Sequence, residues 1–447
     1  MRLDVDFHFQ HRMVQPMGAM PKRAHRPISR AYPAGLGLLV GVLAATTSSC
    51  SDDTTIDLGP PSDASWLYLQ TTIADPEGRT SYVQVLSSFD EAPDLDRAVE
   101  LAGNARVFSD GRRLFTGGAE APIIQEWFPS TDGQLIPGER LSLAGEGLAF
   151  VPFGNNFVAE DKAYLFDGPN ARVLIWDPTL LEARGEIDLS PVRKGDLLPE
   201  IDPGVLRDDG LLFATVQQND FGSVNVFRGI QIVVIDTIED RIVAVHEDTR
   251  CVGSFAGMGI GDDQTVYVMG DNYLVYNWDD TFPATCILRI PPGQTEFDPD
   301  FMIDLDALLG NPATGMFLGA NNRIYTQDMD PEFTDVNPIG SPLAFLNERV
   351  SRWYEIDLDD PTEAIPLDEL GRASPRSGRG FSVDGRFFLP LAEEGFIGRT
   401  RLVELLGAGG TEELFAITGL ATNFGRLNSA PRSERLSSGS SMPEQEP

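Results

Sequence analysis

Two stretches, RVFSDGRRLF (106–115) and RGFSVDGRFF (379–388), carry the pattern that decides the fold. Each reads as a β-strand, a tight turn containing Asp-Gly, and a second strand that holds an aromatic residue. Asp-Gly between alternating apolar residues favours a hairpin, because glycine accepts the positive φ of such turns. Weaker copies of this unit recur along the chain, and their aromatic residues are Tyr68, Phe115, Tyr164, Phe213, Tyr267, Tyr325 and Phe388.

A further strand-like segment follows each of these aromatic residues. It has apolar residues with a period of two or runs of them, as strands do. The seven copies are SYVQVL (81–86), PIIQEW (122–127), ARVLIW (171–176), IQIVVID (230–236), TCILRI (285–290), VSRWYEI (350–356) and TRLVEL (400–405). A third series runs from AVELAG (98–103) to EELFAITGL (412–420). A repeat of about 50 residues with about four strands is typical of a β-propeller blade.

The last strand of the ring is predicted to come from the end of the chain. Units two to seven have an inner strand before the turn, whereas unit one lacks it. The segment ATNFGRLN (421–428) resembles the inner strands and is predicted to complete blade one, which leaves no free sheet edge at the closure. We therefore predict an all-β protein, a seven-bladed β-propeller over residues 65–428 closed by a C-terminal inner strand, with a disordered tail at 429–447.

The segment before Cys50 is similar to a bacterial lipoprotein signal. Basic residues between Lys22 and Arg30 precede an apolar stretch, 34–45, that is too short to span a bilayer. Small residues then lead to Cys50, as in the lipobox, although Thr47 stands where leucine is usual. We predict a cleaved signal peptide at 1–49, lipidation of Cys50 and a tether at 50–64. A plain secretory signal with an incidental cysteine and a transmembrane anchor are the alternatives.

The charge of the chain limits its partners. The formal net charge is −34, and loss of residues 1–49, which are net basic, makes it more negative. Such a surface repels nucleic acid and anionic lipid. We expect no nucleic-acid partner, a monomeric propeller, and attachment to a membrane by the lipid anchor alone, at the outer membrane or the periplasmic side.

Two cysteines, Cys251 and Cys286, remain beyond the predicted lipidation site. An exported protein favours a disulfide between such a pair. Cys251 falls at the end of the fourth strand of blade four and Cys286 at the start of the third strand of blade five. Both positions lie on the same face of adjacent blades, so the sequence predicts a bridge between them.

Histidine chemistry is largely excluded. Of the four histidines only His246 lies beyond the predicted signal, so one chain cannot build a histidine-rich metal site, and a catalytic triad would need His246 as its base. No phosphate-binding glycine loop or C-x-x-C motif is present.

Long loops between the second and third strands of blades four to six predict a binding face. Extra loop length over a rigid scaffold is where binding usually resides. Aromatic and basic residues in or near these loops are candidates for stacking on a planar ligand and pairing with its anionic groups: Tyr273, Tyr276, Trp278, Arg323 and Arg349.

The blade-six loop QDMDPEFTDVN (327–337) is acidic. Its carboxylates offer the oxygen ligands that calcium prefers, although Pro331 interrupts the loop and the glycine of an EF-hand is absent. The candidate ligands are Asp328, Asp330, Glu332 and Asp335. A solvated acidic loop without metal is the alternative, so we expect no obligatory cofactor, with calcium the one candidate.

SYVQVLSSFDEAPDLDRAVELAGNARVFSDGRRLFTGGAEAPIIQEW (81–127) and KAYLFDGPNARVLIWDP (162–178), together with the lipobox-like start, resemble lipoproteins common in myxobacteria. One type is encoded with the genes for myxochelin, a catecholate siderophore. The resemblance covers most of residues 50–430 and implies a propeller-like lipoprotein without established catalytic residues. A role in siderophore or iron handling is implied only by the gene association.

Two functions follow from these observations. The first is a non-catalytic envelope lipoprotein that binds a ligand or protein partner through the long-loop face of blades four to six. The alternative is a calcium-dependent propeller enzyme of the lactonase or lyase type. An enzyme of that type needs carboxylates that converge on the central channel, whereas the acidic clusters recognised in the sequence lie in loops on one side.

Overall fold

The computed structural model describes residues 65–75, 78–220, 225–253, 257–271, 283–328, 348–375, 379–393, 398–407 and 410–428. These residues form seven antiparallel sheets that follow one another along the chain as the blades of a β-propeller. The predicted all-β, seven-bladed fold is therefore confirmed. The proposed signal peptide, tether and tail all lie outside the described residues.

The strands of the first four blades follow the predicted repeat. Blade one contains β1 (Ser65–Asp75), β2 (Gly78–Leu86) and β3 (Val99–Ala102). Blade two contains β4 (Arg106–Ser109), β5 (Leu114–Gly117), β6 (Ile123–Pro129) and β7 (Leu135–Ser142). Blade three contains β8 (Asn155–Ala159), β9 (Lys162–Asp167), β10 (Arg172–Asp177) and β11 (Glu182–Asp188). Blade four contains β12 (Leu198–Ile201), β13 (Val205–Leu206), β14 (Leu211–Asp220), β15 (Asn225–Val226), β16 (Ile230–Asp236) and β17 (Arg241–Asp248).

The remaining blades have four strands each, and the last strand of the chain belongs to blade one. Blade five contains β18 (Met258–Ile260), β19 (Val266–Gly270), β20 (Cys286–Ile290) and β21 (Ile303–Asp304); blade six contains β22 (Ala313–Leu318), β23 (Arg323–Asp328), β24 (Trp353–Asp357) and β25 (Ala364–Pro366); blade seven contains β26 (Phe381–Val383), β27 (Arg386–Ala392), β28 (Arg399–Gly407) and β29 (Gly410–Thr418); β30 (Leu420–Asn428) pairs with β1.

Two faces of the ring are defined by strand direction. The second strand of each blade leads to the third at one end, and successive blades are joined at that same end, which we call the upper face. The hairpins between first and second strands lie at the opposite end, the lower face. Gly111, Gly210 and Gly385 occupy these lower hairpins with positive φ of 83°, 80° and 73°, as the Asp-Gly motif predicts.

Apolar packing between neighbouring blades supplies the core. Seven apolar clusters of the described residues lie one at each junction, including the junction of blade seven with blade one. The middle strands touch a neighbour on both faces, so β16 is buried at its first six positions, whereas the outer strand β17 is partly exposed along its length. All seven aromatic residues that mark the repeat are buried, each at 8% exposure or less.

The ring is closed by backbone hydrogen bonding between β1 and β30. Their register runs from Ser65 opposite Asn428 to Thr72 opposite Leu420, with one bulge after Gln70. Asn423 of β30 also donates its side-chain amide to the Val107 carbonyl of blade two at 2.6 Å. The predicted closure by a C-terminal inner strand is confirmed.

A disulfide joins blades four and five at the upper face. Cys251 lies three residues beyond β17 and Cys286 begins β20, with their Cα atoms 5.4 Å apart. Both cysteines are fully buried. The predicted pairing is confirmed, although Cys251 follows the fourth strand instead of ending it.

The described part of the chain contains no helix that could span a bilayer, and its one α-helix, Leu305–Leu309, has five residues.

Replacing both bridge cysteines by alanine is expected to lower the free energy of unfolding by about 4 kcal/mol, because the bridge closes a loop whose ends are 35 residues apart. Chemical unfolding of the purified protein under oxidising conditions measures this loss. Addition of reductant should destabilise the native protein and leave the double variant unchanged. Equal stability of the two oxidised proteins would contradict a structural role for the bridge.

Candidate functional site

Charged side chains from three distant blades meet at the upper mouth of the central channel. Inner strands line the channel of a propeller. Arg106 is the first residue of the inner strand of blade two, and Glu200 lies in the inner strand of blade four. Arg379 lies two residues before the inner strand of blade seven. Together with Asp202 these residues form what we call the mouth cluster.

A break in the inner strand of blade four positions Asp202 at the channel mouth. β12 ends at Ile201 and β13 resumes at Val205, with Asp-Pro-Gly between them. Proline has no backbone N–H for the sheet ladder, so the strand is interrupted there. The Asn156 side chain fixes the break, since it donates to the Gly204 carbonyl and accepts from the Gly204 N–H, both at 2.8 Å.

Asp202 is held by an ion pair across the channel. Its Oδ2 atom lies 2.9 Å from Nη2 of Arg379 and accepts a hydrogen bond from Gln217 at 3.3 Å. Asp202 is nearly buried, whereas the Arg379 side chain is largely exposed. The pair therefore ties blade four to blade seven at the mouth.

Arg106 is a cation without a carboxylate partner among the described residues. Its guanidinium carbon lies 3.6 Å from the centre of the Phe153 ring, and Nη1 donates to the Asn104 carbonyl. Its Nε atom is buried and has no hydrogen-bond partner in the described part of the chain. Burial lowers the pKa of Arg106 to about 10, while the negative charge of Glu200 acts in the opposite direction. A desolvated guanidinium with unused donors is suited to bind an anion.

Glu200 titrates in the physiological range. Burial raises the pKa of Glu200 to about 7, and repulsion from Asp202 adds to this effect. The positive charges of Arg106 and Arg379 lower the pKa but do not reverse the shift. Glu200 can thus either donate or accept a proton near neutral pH, and titratable groups perturbed in this way often mark functional sites.

The acidic clusters recognised in the sequence are predicted to lie in loops on one side, and the structure adds two carboxylates that the sequence analysis did not single out. Glu200 and Asp202 reach the channel itself, and both were missed in the sequence. Two features of the sequence could have revealed this cluster. Arg106 and Arg379 begin the two stretches that revealed the repeat, and Asp-Pro-Gly interrupts an inner strand. Charged residues at the start of inner strands point to a polar channel mouth.

Most of the residues predicted for the long-loop face belong to segments that the structure does not describe. Tyr273, Tyr276 and Trp278 lie outside the described residues, as do the candidate calcium ligands Asp330, Glu332 and Asp335. No group of three metal-binding side chains occurs in the described parts of the chain.

Asp328 is described and is engaged within the protein. It is fully buried at the upper end of β23, where its carboxylate accepts from the Arg352 N–H at 2.8 Å and from the Tyr354 hydroxyl at 3.3 Å. Burial raises the pKa of Asp328, and the hydrogen bond from the Arg352 N–H, the charges of Arg352 and Arg372, and a hydrogen bond from Asn311 partly oppose this rise.

The two predicted arginines lie at opposite ends of blade six. Arg349 precedes β24 at the upper face, and its Nε donates to the Arg372 carbonyl at 3.1 Å. Arg323 begins β23 at the lower face, where its guanidinium pairs with Asp357 at 2.8 Å and Glu355 at 3.5 Å. The structure therefore separates Arg323 from the long loop that follows Asp328.

Similarity to known proteins is limited to the fold. No family model matches the sequence, and no protein of curated function matches it either. The periplasmic gluconolactonase of Pseudomonas aeruginosa is similar over 81% of this chain and 99% of its own, with 11% identity and a TM-score of 0.52. A candidate 6-phosphogluconolactonase from Bacteroides fragilis is similar over 83% of this chain and 99% of its own, with 8% identity and a TM-score of 0.50. Identities this low show a shared propeller only.

Replacing Glu200 by glutamine is expected to remove part of the pH dependence of stability. The folded state binds the proton of Glu200 more tightly than the unfolded chain does, so this contribution is complete below the unfolded pKa and is lost as the pH rises through about 7. Relative to the variant, the native protein should lose on the order of 2 kcal/mol between pH 5 and pH 8. Urea unfolding at both pH values measures the difference. Glu239→Gln, an exposed carboxylate of the lower face, is the control, and the same pH dependence in native protein and Glu200→Gln would refute the assignment.

Proposed function

We propose that the protein is a cell-envelope lipoprotein that captures a small anionic ligand at the upper mouth of its channel. The observation that carries this proposal is Arg106, a partly buried residue whose guanidinium stacks on Phe153, whose Nε atom is buried without a partner among the described residues, and which forms no ion pair with a described carboxylate. A desolvated charge without a partner raises the free energy of the folded protein, so a carboxylate or other oxyanion that binds there forms a strong, charge-assisted hydrogen bond.

The surrounding groups would shape what is bound. Phe153 is 41% exposed at the mouth and offers an apolar surface beside the cation. The Asp202–Arg379 pair and Glu200 supply further polar contacts. An anion with both an aromatic or apolar part and further oxygen atoms that form hydrogen bonds matches this combination. Ferric catecholates belong to that class, so the siderophore-handling role suggested by the resemblance is compatible with the mouth cluster.

The predicted lipid anchor and the long loops give the proposed binding protein a location and a wider binding face. Lipidation of Cys50 would hold the protein on a membrane of the cell envelope, and the long loops of blades four to six arise at the same face as the mouth cluster. A protein partner that docks on this upper face is the remaining form of the binding hypothesis.

A second function, lactone hydrolysis, is favoured by Glu200 specifically. Ionised Glu200 could take a proton from water as the water oxygen attacks the lactone carbonyl carbon, with Arg106 stabilising the oxyanion that forms. The ring C–O bond would then break, and protonated Glu200 would return the proton to the leaving alkoxide. The fold likeness to gluconolactonases is compatible with this reaction. The calcium-dependent form rests on the acidic loop, of which only Asp328 is described among the proposed ligands.

Arg106→Met is expected to weaken anion binding at least tenfold, because it removes the cation of the mouth cluster that pairs with no described carboxylate. Calorimetric titration of the purified protein with a ferric catecholate complex, and separately with gluconate, measures the affinity. Arg112→Met, at the exposed lower face and paired with Glu160, is the matched control and should bind as the native protein does. Equal affinity in Arg106→Met would contradict the proposed site, and absence of binding by the native protein would redirect the search to a protein partner.

Lactone hydrolysis predicts a rate that rises with pH through about 7 and is lost in Glu200→Gln, because only the ionised carboxylate activates water. Proton release from glucono-δ-lactone, corrected for the uncatalysed reaction, measures the rate, with calcium and with a chelator. Glu239→Gln should keep full activity. A native protein that is no faster than buffer in either condition would eliminate this second function and leave the binding proposal standing.

A further inference from the structure

The junction of blades six and seven contains a row of polar side chains that cross three strands. Thr314 of β22 lies opposite Gln327 of β23, and Gln327 lies opposite Trp353 of β24. Side chains of directly paired residues project from the same face of a sheet. Ser351 precedes Trp353 by two residues and continues the alternation on that face. We call these four residues the polar row.

The polar row is buried, and its Trp353 end packs against blade seven. Trp353 belongs to the apolar cluster that includes Leu389, Leu391 and Val403 of blade seven. Ser351 exchanges two backbone hydrogen bonds with Ala373, at 2.9 and 3.0 Å. Thr314 is 1% exposed, and the other three members of the row are 0% exposed. Water at the surface therefore does not solvate these side chains.

Five polar atoms of the row have no hydrogen-bond partner among the described residues. They are Thr314 Oγ1, Gln327 Oε1, Gln327 Nε2, Ser351 Oγ and Trp353 Nε1. Buried polar atoms are almost always paired, and each one left unpaired destabilises the fold by about 1–3 kcal/mol. Five together approach the whole stability of a typical domain, about 5–15 kcal/mol. The indoles of Trp127 and Trp176, by contrast, donate to Thr116 and Asn155.

The chemistry of the row defines the molecule that fits it. Trp353 and the Gln327 nitrogen only donate, the Gln327 oxygen only accepts, and the two hydroxyls can do both. No member is charged. The next carboxylate on this face, Glu355, already pairs with Arg323. The complementary molecule is thus uncharged and carries hydroxyl groups that donate and accept.

We propose that the polar row is a buried binding site for a small uncharged hydroxylic molecule, either ordered water or a short polyol. The bound molecule completes the hydrogen bonds of blade six where it meets blade seven. This site is separate from the mouth cluster and does not depend on the function proposed for it.

Isosteric apolar substitutions test the site through the sign of their effect on Tm. If a hydroxylic molecule pairs with the row, Thr314→Val and Gln327→Met each break existing hydrogen bonds and lower the Tm by roughly 2 °C or more. If nothing pairs with these atoms, the same substitutions remove a desolvation penalty and raise the Tm. Both changes preserve side-chain volume closely, so the variants should fold.

Thr71→Val is the matched control. Thr71 Oγ1 is also buried and unpaired, at 1% exposure, but it lies in blade one away from the row. Among the described residues only the Thr422 hydroxyl is also unpaired on the neighbouring strand, so a bound molecule would find fewer partners there, and the Thr71→Val change is expected to shift the Tm less than the row variants do. A rise in Tm for both row variants would overturn the proposal.

Two further measurements identify the source of the molecule. Native mass spectrometry of protein purified without added polyol should show a retained adduct if the occupant is a polyol, and the adduct should disappear in the Thr314→Val, Gln327→Met double variant. A high-resolution crystal structure should show isolated water peaks within hydrogen-bond distance of the row if the occupant is water. Either result supports the site, whereas an empty, dry row in that crystal structure would refute it.

Discussion

The pairing of β1 with β30 is the constraint on which the ring depends. Every other blade is built from consecutive strands, but blade one takes its inner strand from the other end of the described chain. The registered pairs between Ser65–Thr72 and Leu420–Asn428 remove the two free edges that an open ring would have. Once the ring is closed, each blade has a neighbour on both faces, and the inner strands converge on one axis. The mouth cluster exists only because of that convergence.

The apolar residues that stabilise the fold and the charged residues of the mouth cluster lie in different parts of the blades. The buried aromatic residues of the second strands and the apolar third strands fill the junctions, where burial of each large side chain stabilises the fold by about 1.5–3 kcal/mol. The charged residues Arg106, Glu200 and Arg379 occupy the inner edges near the upper face, where packing does not demand apolar groups. The polar row is an exception, since its side chains lie within a junction.

The repeat and the disulfide could be predicted from strand periodicity, Asp-Gly turns and a single available cysteine pair. The closure could be predicted because blade one lacks an inner strand and the segment 421–428 resembles one. The mouth cluster could not, because Arg106, Glu200 and Arg379 are far apart in sequence and meet only through the ring. Arg323 was grouped with the long loop because it is near it in sequence, although strand direction places it at the lower face. The polar row depends on the register between β22, β23 and β24, which the sequence pattern does not specify.

Ser65 and Asn428 lie opposite each other at the lower edge of blade one, so the chain enters and leaves the ring at a single point. This arrangement has a mechanical consequence. A force that pulls these two ends apart acts across the seam and breaks the hydrogen bonds between β1 and β30 one after another, as a zipper opens. Strands loaded along their length would share the force among all their bonds. The seam that makes the ring continuous is therefore also a place where tension between the chain ends loads the hydrogen bonds one at a time.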